Sequence, residues 1–130
     1  MLAALPLYFA FLGTTLALLV AALVIYVMLT PYREITLIRE GNRAAACSLG
    51  GTAVGMSIVL FSTASGTFNL IELAAWGSIG LVSQLAAFLV VSFMIPRFKE
   101  GIEQDNMGYG IVLGAFSVAM GILNAGALST

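Results

Sequence analysis

Four apolar runs, each near or above the ~20 residues that cross a bilayer, fill most of this chain and are separated only by short connections. That pattern leaves nothing from which to build a soluble core. Only 8% of the residues are charged, against about 25% in soluble domains. The sequence therefore predicts an all-α membrane protein with four transmembrane helices, in a single domain over residues 1–130. No basic segment precedes the first run, and no small-residue cleavage site leads from it into a soluble chain. That run is read as a retained span.

Span one runs from about Leu7 to Leu29. Tyr8, Phe9 and Phe11 crowd one end, and Tyr26 and Tyr32 the other, as aromatic belts do at the two interfaces. Thr30-Pro31 suits a helix start, with threonine as the cap and proline in the first position. Pro31 to Glu40 is then expected to form a short interfacial helix, with Ile35, Leu37 and Ile38 towards lipid and Arg33, Glu34, Arg39 and Glu40 towards water. Gly41 ends it, and Asn42 caps span two, about Arg43 to Ser65. After a tight turn around Gly66 to Asn69, the run Asn69-Leu70-Ile71-Glu72 fits a capping box, in which Glu72 reaches back to the free amide. Span three continues to about Ile95. Pro96 follows it as Pro31 follows span one, and Asn106 opens span four.

The stretch from Asn42 to Gly66 returns at Asn106 to Thr130. At an offset of 64 it repeats Asn42/Asn106, Leu49/Leu113, Gly50/Gly114, Val54/Val118, Met56/Met120, Ile58/Ile122 and Ser65/Ser129. Chance would give roughly two or three matches in so apolar a stretch. The expected architecture is two tandem helical-hairpin repeats, about 7–66 and about 71–130. Each holds an even number of spans, so the repeats are parallel, with their axis along the membrane normal. All five basic residues (Arg33, Arg39, Arg43, Arg97 and Lys99) lie in the two connections on one side. Short loops rich in Lys and Arg stay in the cytoplasm, so both termini are expected outside it. The same five residues are the candidates for contact with lipid headgroups or a peripheral cytoplasmic protein.

Small residues dominate spans two and four. Gly51 and Gly55 are four apart, flanked by Ser48 and Ser62; Gly110 and Gly114 are four apart, continued by Ser117, Gly121 and Asn124. Close backbone approach drives helix association in lipid, so these glycines are candidate packing or oligomer positions. Gly77 and Gly80 on span three join them. Ala46, Gly50, Ala53 and Ser57 make a second small face on span two. Gln84 shares the face of Gly77 and Gly80, and its counterpart in the first repeat is Leu19. It is either interhelical glue or the lining of a small polar path. Asn69, Glu72 and Asn124, with Trp76 one turn below Glu72, are a candidate polar vestibule; the plainer role of Glu72 is the capping box.

The net charge of −1 lacks the basic footprint of a nucleic-acid binder. There is no histidine, no cluster with metal-ligand spacing, no phosphate-binding glycine loop and no nucleophile with a base. No ionisable group stands at mid-membrane depth, where proton-coupled carriers need one. Neither catalysis nor a cofactor is expected. Glu34, Glu40, Glu100, Glu103 and Asp105 interleave with bases and read as solvated loop faces. Cys47 is the one cysteine, so no intramolecular disulfide forms, and it is read as a small buried residue.

Several of these residues together carry a resemblance: Thr30-Pro31, Asn42 with Ala45, the Ser48/Gly51-Thr52/Gly55 run, Ala75-Trp76-Gly77 leading to Leu81-Val82 and Gln84-Leu85, and Gly121-Ile122 with Asn124-Ala125. From about Tyr8 to Ala125 the chain resembles the small bacterial inner-membrane proteins grouped as domain-of-unknown-function family 350. The resemblance implies a four-span, internally duplicated inner-membrane protein and supplies no activity. Members tend to be encoded near membrane-stress and ATP-grasp ligase proteins, which implies a role in the envelope. One departure is Asn124-Ala125-Gly126, where members often have Asn-Ala-Ala.

The expected function is a non-enzymatic membrane scaffold or accessory subunit, homo-oligomeric, with its two charged loops turned to a peripheral partner or to lipid. The alternative is a small oligomeric channel or transporter with Gln84 in the path. The feature that separates them is a continuous polar stripe, and in the sequence it is broken, with Gln84 alone at the centre.

Overall fold

The computed structural model describes residues 4–67 and 69–129. The outermost residues of the expected domain and second repeat, and Phe68 in the expected turn, lie outside the described residues. Within them the chain is helical, with no strand. Four helices are long and apolar enough to cross a membrane: α1 (Leu5–Leu29), α3 (Arg43–Ser65), α4 (Leu70–Met94) and α6 (Met107–Leu128). Two short helices, α2 (Glu34–Arg39) and α5 (Phe98–Glu103), lie in the connections that lead into α3 and α6.

Local chemistry sets the boundaries. The Asn42 side chain accepts from the Ala45 amide at the start of α3, and the Asn106 side chain from the Gly108 amide at the start of α6. These are N-caps on otherwise unpaired helix donors. Thr30 and Pro31 differ from expectation. The Thr30 hydroxyl donates back to the Val27 carbonyl, so it finishes α1 rather than starting α2, and α2 begins only at Glu34. At the far end Asn69 caps α4 through the Ile71 amide. The capping box does not close. The Asn69 amide donates to the Thr67 hydroxyl, which in turn donates to Glu72, so a threonine stands where the glutamate was expected.

α3 and α6 run parallel and make the most extensive contact in the bundle. A Cβ placed on Gly51 would meet the backbone of Gly114, one on Gly110 would lie 2.6 Å from Ala44 Cα, and one on Gly121 2.7 Å from Gly55 Cα. Only backbones without side chains approach this closely. α4 lies against both helices. Gly77 faces Leu60 and Leu18, and Gly80 faces Val59 and Leu128. α1 is the most loosely held. Its buried residues are Ala22 and Tyr26, near one end, and towards the other a groove of about 660 Å³ opens between α1 and α3.

The two connections that carry α2 and α5 are clamped together. Asp105 sits at φ 60, a left-handed conformation that is uncommon outside glycine. In that position its carboxylate accepts from the amides of Arg43 and Ala44 at 2.8 and 2.9 Å. A negative side chain at a helix N-terminus satisfies free donors and complements the dipole. The Asn42 side chain reciprocates by donating to the Ile102 carbonyl at 2.7 Å.

Candidate functional site: a buried polar chain

Tyr26, Thr30 and Glu34 recur every four residues, and the turn after α1 folds the last of them inwards. Glu34 is fully buried, which corrects its expected place on a water-facing surface. The cause is α2, which starts late and presents its first residue to α1 and α3 instead of to solvent. Tyr26 and Tyr32 are buried too, 0% and 4% exposed, so they belong to the core and not to an interfacial belt. The Tyr26 ring packs edge-on against Phe88 at 4.8 Å, and the Tyr32 ring against Phe98 at 6.3 Å. Leu37 and Ile38 pack against this core as well, whereas Ile35 is exposed.

From Glu34 a chain of polar contacts enters the bundle. The Tyr26 hydroxyl donates to Glu34 Oε1 at 3.1 Å and lies 2.9 Å from the Ser48 hydroxyl. Thr52 donates to the Ser48 carbonyl at 2.8 Å, and its hydroxyl is 3.3 Å from that of Ser117. Gln84 donates to the Ser117 carbonyl at 2.6 Å. All six residues are buried, none of them more than 2% exposed. The polar residues that look isolated in the sequence are thus joined in space from Glu34 as far as Gln84, because α3 and α6 bring Thr52 and Ser117 to the same crossing. Three buried oxygens in this region have no partner among the described residues: Glu34 Oε2, the Tyr32 hydroxyl and Gln84 Oε1.

Burial pushes the Glu34 carboxyl up to about 7, against the lowering effect of the hydrogen bond from Tyr26. A carboxylate taken out of water favours its neutral form unless a cation compensates. Among the described residues no base pairs with it. Burial pushes the Tyr32 phenol well above its ordinary range, and the nearby Glu34 charge adds to this.

The other expected site residues fall into three places. Gly51, Gly55, Gly110, Gly114 and Gly121 lie at the α3–α6 crossing. A Cβ on Gly55 would also lie 2.6 Å from Gln84 Nε2, so that glycine makes room for the amide. Asn69 and Glu72 are linked through the Thr67 hydroxyl, but no described hydrogen bond brings Asn124 to them. Asn124 instead donates to the Gly80 carbonyl at 2.9 Å, tying α6 to α4. Arg33, Arg39, Arg43, Arg97 and Lys99 are all exposed at the end that carries α2 and α5. Cys47 is half-buried, with its carbonyl against Gly114. Among the described residues no group of His, Cys, Asp or Glu is arranged to hold a metal.

Sequence reasoning missed Glu34 and Asp105. The four-residue spacing of Tyr26, Thr30 and Glu34 was a usable signal. For Asp105 there was one as well, since at an offset of 64 it aligns with Gly41, which also has positive φ.

A family model described as Domain of Unknown Function (DUF350) matches residues 1–128. The chain is 36% identical over 113 residues to the UPF0719 inner membrane protein YjfL of Escherichia coli K12, covering 87% of this chain and 86% of that protein. It is 31% identical over 109 residues to the UPF0719 transmembrane protein YshE of Bacillus subtilis 168, covering 82% of this chain and 81% of that protein. Neither name denotes an enzyme. No solved structure matches the chain.

Proposed function

This chain belongs to the DUF350 family of membrane proteins, and from that premise we propose that it is a non-enzymatic, homo-oligomeric scaffold or accessory subunit of the inner membrane. In this reading it serves envelope homeostasis, keeps both termini outside the cytoplasm and offers its basic end to a peripheral protein or to lipid headgroups. One observation carries it: interior polar groups are largely spent on neighbouring helices, while all five bases stay exposed and form no ion pair among the described residues. Surface charges that stabilise nothing in their own chain are free for a partner. The assembly is read as built from two tandem parallel hairpins. α1 and α4 share both bounds at an offset of 65, and α3 and α6 start at an offset of 64, which supports the duplication.

The mass of the protein in nanodiscs and solute flux in proteoliposomes test this reading together. An oligomer without flux above the lipid background is the expected result, and a monomer refutes the scaffold.

A conduit is the second reading, favoured by the hydrogen-bonded run from Glu34 to Gln84. It requires wild-type flux that Gln84→Leu abolishes while folding is kept. For a scaffold, Gln84→Leu changes stability by at most about 1–2 kcal/mol and leaves assembly intact.

A further inference from the structure

We propose that the open groove between α1 and α3 is the seat of α6 from a second copy of this chain, so that copies join head to tail through a wider-spaced counterpart of the contact that joins α3 to α6 within one copy, wider because Ala46, Ser57, Ala115 and Ala119 carry side chains where Gly110, Gly121, Gly51 and Gly55 do not. The inference rests on the homo-oligomer reading above and names its interface.

The argument is one of equivalent positions. At the α1/α4 offset of 65, the groove residues Leu12, Thr15 and Leu19 on α1 correspond to Gly77, Gly80 and Gln84 on α4. At the α3/α6 offset of 64, the groove residues Ser57, Leu60 and Phe61 on α3 correspond to Gly121, Asn124 and Ala125 on α6. Those α4 and α6 positions are the slot that α3 fills. Gly80 meets Val59, Gly121 meets Gly55, and the Ala125 carbonyl accepts from Ser62. One slot is therefore occupied within the chain, and its equivalent is open among the described residues.

The helix faces agree. α6 packs on α3 through Gly110, Gly114, Ser117 and Gly121. Their equivalents on α3 are Ala46, Gly50, Ala53 and Ser57, and this face is uncovered: nothing lies within 4 Å of a Cβ placed on Gly50. α3 packs on α6 through Ala44, Cys47, Gly51 and Gly55. Their equivalents on α6 are Gly108, Ile111, Ala115 and Ala119, all exposed. Both halves of a second interface are thus present and unpartnered, each made chiefly of small residues that suit close approach in lipid.

The two faces of α3 differ, so the contact is heterologous and propagates until it closes. At ~100° per residue the faces lie about 135° apart around the helix, the interior angle of a ring of about eight such helices, or four chains. The side of α3 turned to the centre of that ring carries Val54 and Phe61, 50% and 74% exposed, which is an apolar lining. That suits a scaffold rather than an aqueous pore.

By equivalence, Gly50 of one copy meets Ala115 of the next, as Gly114 meets Gly51 within a chain. In a Cys47→Ser background, chains carrying Gly50→Cys are mixed in membranes with chains carrying Ala115→Cys and oxidised. The mixture should give a cross-linked dimer, and each variant alone none. The double variant should ladder beyond the dimer, because each chain then offers both faces. A pairing of Ala115→Cys with Val82→Cys, exposed on α4, is the control and should stay uncrosslinked. Cross-linking of Gly50→Cys with itself overturns the head-to-tail contact in favour of a two-fold one. An oligomer in nanodiscs with no Gly50–Ala115 cross-link overturns this interface and leaves the oligomer standing, whereas a monomer removes both.

Discussion

Gly50 and Gly51 are adjacent on one helix, yet alanine should act on them in opposite ways. A Cβ on Gly51 lands on the Gly114 backbone, only 2.6 Å from its carbonyl carbon, whereas one on Gly50 meets nothing within 4 Å in the same chain. Carbon atoms pack at about 3.5–4.0 Å, so Gly51→Ala must push α3 and α6 apart by about 1 Å. The opening has two further effects. It weakens dispersion along the crossing, where a 0.5–1 Å gap forfeits about a quarter to a half of each contact. It also stretches the Thr52–Ser117 contact, already 3.3 Å long, beyond hydrogen-bond range. Overpacking costs about 1–3 kcal/mol, and the lost hydrogen bond adds about 0.6 kcal/mol. The better helix propensity of alanine returns about 0.5–1 kcal/mol. The net expectation is a loss of about 2 kcal/mol for Gly51→Ala. Gly50→Ala should leave the fold of the single chain unchanged or slightly firmer and loosen only the assembly. Unfolding of the monomeric protein in detergent, followed by steric trapping, reads the difference directly. Equal stability of the two variants would refute the crossing geometry.

Glu34→Gln should change the pH dependence of stability. The folded carboxyl sits near 7, above its ordinary 4.5, so the native state binds more protons than the unfolded state between those values, and wild-type stability falls as pH rises through that window. The loss is about 3.5 kcal/mol at ~1.4 kcal/mol per unit; denaturation of the Gln variant, which keeps an acceptor for Tyr26, should be flat from pH 5 to 8. Asp105→Ala removes the cap on Arg43 and Ala44 and places a Cβ-branching-free but non-glycine residue at φ 60. It should cost about 1–2 kcal/mol in the same unfolding assay, and Asp105→Gly less, since glycine tolerates that conformation. A C-terminal alkaline phosphatase fusion should be active and a green fluorescent fusion dark, as the basic connections dictate for short loops; the opposite pair of results sinks that orientation.

Much of the architecture was legible in the chain. Length and apolarity mark the four spans, and Asn42 and Asn106 mark the starts of α3 and α6, because both signals act within a few residues. The small faces of α3 and α6 were legible as faces, but which of the two on α3 is covered was not. The offset of 64 pairs Gly114 with Gly50, yet it is Gly51 that meets Gly114. Sequence periodicity reports what one helix can offer and not which neighbour takes it.

The polar groups show the same division more sharply. Side-chain identity alone settled that Gln84 is the lone amide in α4 and that Glu34 lies in a short charged connection. Burial is a property of the assembled bundle. Glu34 loses its water because the turn after α1 folds α2 onto Tyr26 and Ser48, contacts 8 and 22 residues from Tyr26 along the chain. Gln84 finds Ser117 only where α3, α4 and α6 meet, 33 residues away. Hydrophobic runs and caps are local and survive in any arrangement of the helices. Desolvation and long-range hydrogen bonds exist only once the helices have chosen their partners, so the tertiary structure alone turned scattered hydroxyls, one amide and one carboxyl into a connected interior.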